Sequence, residues 1–275
     1  MPTAGGRLRA MGDAWDLAHR TAEAAGVELR ELTTLEDADR ILEVMIATWG
    51  EHQLLPRELI RALMHSGNAP WGAFEGPRMV GYVLGFLGRE GDLPHVHSHM
   101  LAVRPEHRSR GVGYALKLAQ RAAALDLGVE VVRWTFDPLL SKNAYFNLAK
   151  LGAVCDAFHR NFYGEMTDLL NRGERSDRLV VRWELTAEPS GPAEERGAVV
   201  LDREGPEDRP RPAPGDPPQT GPALVRIPRD YQALRERDRA LALAWREASA
   251  AAIESCLRAG LIARGFSLGS TYVFA

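Results

Sequence analysis

Cysteine is scarce: Cys155 and Cys256 stand far apart in 275 residues, so neither a disulfide framework nor a Cys-x-x-Cys metal or redox spacing is available. Both thiols are expected in the core of a protein from a reducing compartment. Long apolar runs are missing as well. No uninterrupted stretch reaches the length of a membrane span, and Met1–Ala10 lacks the apolar core of a signal peptide. The expectation is a cytoplasmic protein with no membrane partner. An excess of positive charge is also absent: the formal net charge is -3, so no global field would draw in a nucleic acid. Any anion site must be local.

What is present is an ordinary globular composition, 45% hydrophobic, with alternating helix and strand patterns. Apolar residues fall at helical spacing over Trp15–Ala25 and Leu35–Trp49, with Thr33 or Thr34 available as a cap, and Val27–Leu32 between them alternates like a strand. Leu59–Met64 reads as a short helix. Trp71–Phe74 and Met79–Leu87 read as a hairpin turning at Glu75-Gly76-Pro77, followed by a strand over Val96–Val103. Gly113–Leu127 reads as a helix, Val129–Phe136 as a strand, Lys142–Leu151 as a helix, and Ala153–His159 and Leu179–Leu185 as strands. This order defines a mixed α/β (α+β) core over residues 1–186.

Residues 187–222 are crowded with Pro, Gly and charged residues and read as a linker. Residues 223–275 then read as a small strand-helix-strand unit, in which Leu241, Trp245, Ala248, Ala252 and Cys256 mark one face of a helix over Arg237–Ala259. So short a unit is expected to pack against the core. The arginine-rich stretch Arg229–Arg246 reads as a solvated helix face.

The first candidate site is Arg108-Ser109-Arg110-Gly111-Val112-Gly113, between a strand and a helix that begins near Tyr114. A helix start leaves N–H groups unpaired and carries partial positive charge, so it binds phosphate, and glycines allow close approach. Arg108 and Arg110 add charge-assisted donors. A P-loop is excluded because no Lys-Ser/Thr follows the glycines, and the dinucleotide fingerprint lacks its third glycine.

Taken together, the run from His99 through Leu101-Ala102-Val103-Arg104-Pro105-Glu106 to Gly113 resembles the central motif of the GNAT superfamily of acyl-CoA N-acyltransferases. Ser141-Lys142-Asn143-Ala144-Tyr145-Phe146, with its Leu151-Gly152-Ala153 exit, looks like the second motif. The resemblance covers roughly Val27 to Leu185 and implies the GNAT fold, a mixed central sheet flanked by helices. It implies acyl-CoA as co-substrate, touching Leu101, Ala102 and Val103 by backbone, Arg108 to Tyr114 through its pyrophosphate, and Asn143 and Phe146 along the pantetheine. More narrowly, Ser98-His99-Met100, Trp134-Thr135-Phe136-Asp137-Pro138-Leu139 and Asn143-Ala144-Tyr145-Phe146-Asn147 are similar to a bacterial subfamily that includes amino-acid N-succinyltransferases accompanying N-acylamino-acid racemases. That likeness implies succinyl-CoA beside acetyl-CoA as donor and an amino acid as acceptor. One departure is Leu148, where the superfamily often carries the tyrosine that protonates the departing thiol.

Acyl transfer to an amine requires a base, a polarised carbonyl and a stabilised thiolate. His95, His97 and His99 alternate along the strand and are expected to share one face with Leu101 and Val103. His99 is the candidate base, because an unperturbed histidine titrates at about 6.5. Tyr163, in Asn161-Phe162-Tyr163-Gly164, is the candidate acid in place of a tyrosine at Leu148. Trp49, His97, Phe136 and Asp137 are candidates to line the acceptor pocket, with Asp137 holding a cationic group. Alternate histidines can also share a metal ion, but no acidic or thiol cluster accompanies them, so no metal is expected. The rival reading is a non-catalytic acyl-CoA sensor. Oligomeric state stays open, a homodimer through sheet-edge strands being one arrangement.

Overall fold

The computed structural model describes residues 4–51, 54–164, 174–187, 189, 191–205, 208–213, 217–218 and 221–275. Its contacts divide the chain into two units, with the boundary between Arg133 and Trp134.

The first unit runs through helix α1 (Ala4–Ala24), strand β1 (Glu28–Glu31), helices α2 (Leu35–Trp49) and α3 (Arg57–His65), strands β2 (Trp71–Glu75), β3 (Arg78–Glu90) and β4 (Leu93–Val103), and helix α4 (Val112–Asp126). Strand β5 (Val131–Phe136) contains the boundary. Thr34 starts α2 through a capping box: its hydroxyl accepts from the Asp37 N–H at 3.1 Å, while the Asp37 carboxylate accepts from the Thr34 N–H at 3.0 Å. β1, β2, β3 and β4 are antiparallel neighbours in that order, and β4 pairs in parallel with β5 at Val96↔Val132 and His97↔Arg133.

Burial on both faces of β3 explains its almost unbroken apolar sequence. Val80 and Val83 pack with Ala18 and Ala22 of α1 and with Leu116 and Ala119 of α4. Met79, Tyr82 and Leu84 pack instead with Ile41 and Met45 of α2 and Ile60 of α3. Both β3 and β4 extend beyond their expected ends to meet at a turn with Gly91 at φ 58°, a left-handed conformation that favours glycine.

In the second unit a short helix α5 (Ser141–Ala144) continues as a π-helix over Tyr145–Lys150, where a plain helix is expected from sequence. Strands β6 (Val154–His159), β7 (Arg178–Glu184), β8 (Ala198–Glu204), β9 (Arg209–Pro212) and β10 (Ala223–Arg226) follow, then helices α6 (Tyr231–Arg237) and α7 (Arg239–Arg258) and strands β11 (Ala263–Phe266) and β12 (Thr271–Phe274). Their sheet order is β7-β6-β11-β12-β10-β8-β9.

Three expectations change here. The segment 187–222 holds β8 and β9, because β8 finds a parallel partner in β10 and buries Leu201; composition alone does not reveal such a distant partner. The helix expected over Arg237–Ala259 is two helices, since the Asp238 side chain accepts from the Leu241 N–H at 2.9 Å and starts α7 afresh. The C-terminal elements share a compact unit with Trp134–Gly164, so the contact boundary falls inside β5 and not at residue 186.

Candidate active site

β4 and the turn after it position the first set of predicted residues. Met100 faces Leu84 and Ser98 faces Gly85, so His99 is the extra residue of a β-bulge. Gly85 is required there: a Cβ would stand 2.9 Å from the His97 carbonyl and 2.9 Å from the Gln120 amide. The bulge overturns the expectation that the histidines share a face with Leu101 and Val103. One inserted residue flips the alternation. Leu101 and Val103 pack on the α1–α4 side, whereas Met100 and Ala102 join the α2–α3 cluster against which Trp49 also packs. Ser98 accepts from the buried Lys117 ammonium of α4 at 3.0 Å, so His97 projects from the opposite face.

His97 and His99 stand 6.1 Å apart between ring centroids, and Phe86, on the neighbouring strand, lies 5.1 Å from His97 and 6.1 Å from His99. Desolvation by these surroundings lowers the pKa of both histidines below the ordinary value, and for His97 the charges of His99, His95 and Lys117 act in the same direction. His99 keeps an exposed edge. At neutral pH it is therefore an unprotonated imidazole open to solvent, the form a general base requires.

Beyond β4, a 3₁₀ turn over Pro105–His107 leads to Ser109 at φ 63° and Gly111 at φ 91°, the N-cap of α4. Tyr114 and Ala115 donate to the Gly111 carbonyl at 3.0 Å each, which leaves the N–H groups of Val112 and Gly113 beyond any intrahelical acceptor. A Cβ on Gly113 would meet only ordinary contacts, Val103 at 3.8 Å and Leu101 at 3.9 Å. Glycine there is not demanded by packing and keeps the helix start open for a ligand.

Arg108 is exposed and its Nε donates to the Val103 carbonyl at 3.3 Å, while Arg110 reaches Glu75 at 3.5 Å. The Glu75 carboxylate also meets Nε2 of the buried His107 at 3.2 Å, and these partners, His107 first, hold its pKa down. Glu75 thus braces both the turn's 3₁₀ entry and Arg110. Its role escapes the sequence reading, where Glu75-Gly76-Pro77 appears only as a hairpin turn. The arrangement fits a pyrophosphate: a helix start with free N–H groups, room above Gly113 and two guanidinium groups alongside.

The remaining predicted residues belong to the second unit. Phe136 is buried, Asn143 exposed and Phe146 half-buried. Leu148 is wholly buried. The Tyr163 hydroxyl lies 3.2 Å from the Thr135 hydroxyl, its ring packs edge-on to Phe162, and the Arg178 guanidinium sits 5.3 Å over it. Its backbone N–H donates to the Ser176 hydroxyl at 2.9 Å. The candidate acid is held in place with its hydroxyl beside the end of β5.

Asp137 does not await an external cation. It is buried, and both its oxygens accept from Arg246 of α7, at 2.7 and 2.9 Å. This fork-to-fork pair corrects two expectations together, the cation-holding role of Asp137 and the solvated face assigned to Arg229–Arg246. Nothing in local spacing marks a partner 109 residues away. Among the described residues, no group of three or more His, Cys, Asp or Glu side chains is placed to hold a metal ion, and no helix is long and apolar enough to cross a membrane.

Residues 32–152 match the model of the acetyltransferase (GNAT) family. No curated protein matches the chain. Many solved structures do, among them yncA from Salmonella typhimurium with its cofactor acetyl-CoA, at 15% identity over 61% of this chain and 99% of that one, TM-score 0.47. Ard1 from Thermoplasma volcanium is similar at 18% identity over 59% and 99%, TM-score 0.46. Aminoglycoside 6'-acetyltransferase type Ii is similar at 15% identity over 59% and 99%, TM-score 0.45.

Proposed function

We propose that this enzyme moves an acetyl or succinyl group from coenzyme A to the amine of a small molecule, an amino acid or a related metabolite. The observation that carries the reading is the Gly111–Gly113 helix start beyond the bulged β4, an anion site directly after a strand with His99 at its kink. The pyrophosphate rests on Arg108 to Tyr114, and the backbone of Leu101, Ala102 and Val103 pairs with the pantetheine arm.

In the reaction the acceptor amine, protonated in part at neutral pH, gives a proton to His99 directly or through water. The amine nitrogen attacks the thioester carbon, whose oxygen is polarised by a β4 N–H. The C–S bond then breaks as the carbonyl re-forms, and the proton left on the amide nitrogen passes through water to the departing thiolate. Trp49 and His97 border the acceptor. The succinyl donor and amino-acid acceptor rest on the similarity of the Ser98–Met100 and Trp134–Leu139 strings to the succinyltransferase subfamily.

A second reading, an acyl-CoA sensor without turnover, is favoured by one observation, the buried Leu148 in place of a tyrosine. A thiol-release screen of acetyl- and succinyl-CoA against amino acids of both hands and polyamines separates them. Thiol release that depends on an added amine supports the transferase. Coenzyme binding with no release from any pair supports the sensor.

A further inference from the structure

A cavity of about 300 Å³ opens between the C-terminal end of α4, Trp15 of α1 and the strands β2 and β3. Every residue that lines it belongs to the first unit. Its volume falls at the small end of the range for small-molecule sites, ~300–1,000 Å³. Buried Val83, Val96 and Gln120 form the floor, while Leu87 and Leu127 stand exposed at the mouth. The indole rings of Trp15 and Trp71, 4.5 Å apart between centroids, make one wall. This is the side of β4 to which Ser98 and Lys117 point, and His97 projects from the other.

The polar groups of the cavity indicate what it takes. Gln120 is only 6% exposed; its Oε1 accepts from Lys117 at 2.8 Å, and its Nε2 has no hydrogen-bond partner among the described residues. Because Lys117 is a donor, it fixes the amide with its oxygen toward Lys117 and its nitrogen free to donate into the cavity. A buried donor without an acceptor is costly, and an acceptor on a ligand removes that cost.

Charge in the lining has one sign. Glu31 and Asp126 are its charged residues, with no lysine, arginine or histidine beside them. Asp126 Oδ2 accepts from the Trp15 indole N–H at 2.8 Å, whereas its Oδ1 and the Glu31 carboxylate have no partner among the described residues. Carboxylates next to indole rings attract a cation, and the apolar floor suits a hydrocarbon body. Trp15 and Glu31 precede the matched segment 32–152, so two of the defining groups lie outside it.

We propose that this cavity binds a small aromatic ammonium ion, its charge at Asp126 and Glu31, its ring against Trp71 and Val83, and an oxygen accepting from Gln120 Nε2. The site is separate from the proposed acyl transfer, which uses the opposite face of β4 and the Arg108–Gly113 turn.

The test uses the full chain and four probes of similar shape: protonated tyramine, the neutral alcohol tyrosol, the anion 3-(4-hydroxyphenyl)propionate, and protonated phenethylamine, which lacks the phenolic oxygen. Binding is followed through the tryptophan indole N–H resonances, with and without saturating acetyl-CoA. Tyramine should bind saturably and equally in both conditions, tyrosol about tenfold more weakly, phenethylamine about fivefold more weakly, and the anion not at all. Ala123→Leu fills the cavity from α4 with a good helix former and should abolish tyramine binding; Asp126→Asn should weaken it about tenfold. Absence of saturable tyramine binding overturns the proposal. So does equal affinity for the four probes, competition with acetyl-CoA, or tyramine affinity unchanged in the variants. Should Ala123→Leu fail to fold, Asp126→Asn decides alone.

Discussion

Two turns carry the candidate chemistry, and they are built differently. The Arg108–Gly113 turn takes its shape from its own residues: left-handed Ser109 and Gly111, a helix start, and a glycine with room above it. The Asp137–Ser141 turn takes its shape from Arg246, Ser270 and Tyr272, far along the chain. A turn of the first kind can be exchanged between proteins as a short motif. One of the second kind depends on the rest of its unit, so changes well outside the motif reach it.

The largest expected effect separates the two kinds of construction. Arg246→Met leaves the buried Asp137 and Glu174 carboxylates without their cation and should cost about 3–5 kcal/mol in urea unfolding. A loss below 1 kcal/mol, read on the same scale, would mean that the distant tie is dispensable. Next comes Gly113→Val. A Cβ there meets only ordinary contacts, so the melting temperature should hold while acyl-CoA affinity falls about a hundredfold, as the space for the ligand is filled. Retained affinity would remove the pyrophosphate from this turn.

His99→Gln should lower kcat by about a hundredfold, the low end for general base catalysis. The sign of the pH dependence follows from its lowered pKa: the neutral imidazole is the active form, so kcat/KM should rise with pH at a point below about 6.5 and stay level through neutrality. The variant should lose that rising limb; a profile that keeps it assigns the limb to another group. The smallest effect is local. Thr34→Ala breaks the capping box of α2 and should cost about 1 kcal/mol without changing coenzyme affinity. A cost as large as that of Arg246→Met would erase the contrast between near and distant ties.

The same contrast explains how much could be read from the sequence. The order of elements through β7, the Thr34 cap and the Arg108–Gly113 turn are legible because periodicity, capping and glycine placement are properties of adjacent residues. The bulge at His99 is not, although Gly85 opposite it is the kind of strand glycine that marks a close approach. Missing it puts Leu101 and Val103 on the wrong face. Asp137 is legible as a residue of consequence but not as to its partner, since Arg246 sits in a stretch whose charge pattern suits solvent. β8 and β9 are hidden for the same reason: their proline- and charge-rich sequence becomes strand only against β10.

The most direct test of the account is amine-dependent release of free thiol from acetyl-CoA, comparing the unaltered protein with Gly113→Val at matched folding. The account predicts release with at least one small amine for the unaltered protein and none above background for the variant. Equal release by both would contradict it, because the reaction would then not depend on a ligand seated at the Arg108–Gly113 turn.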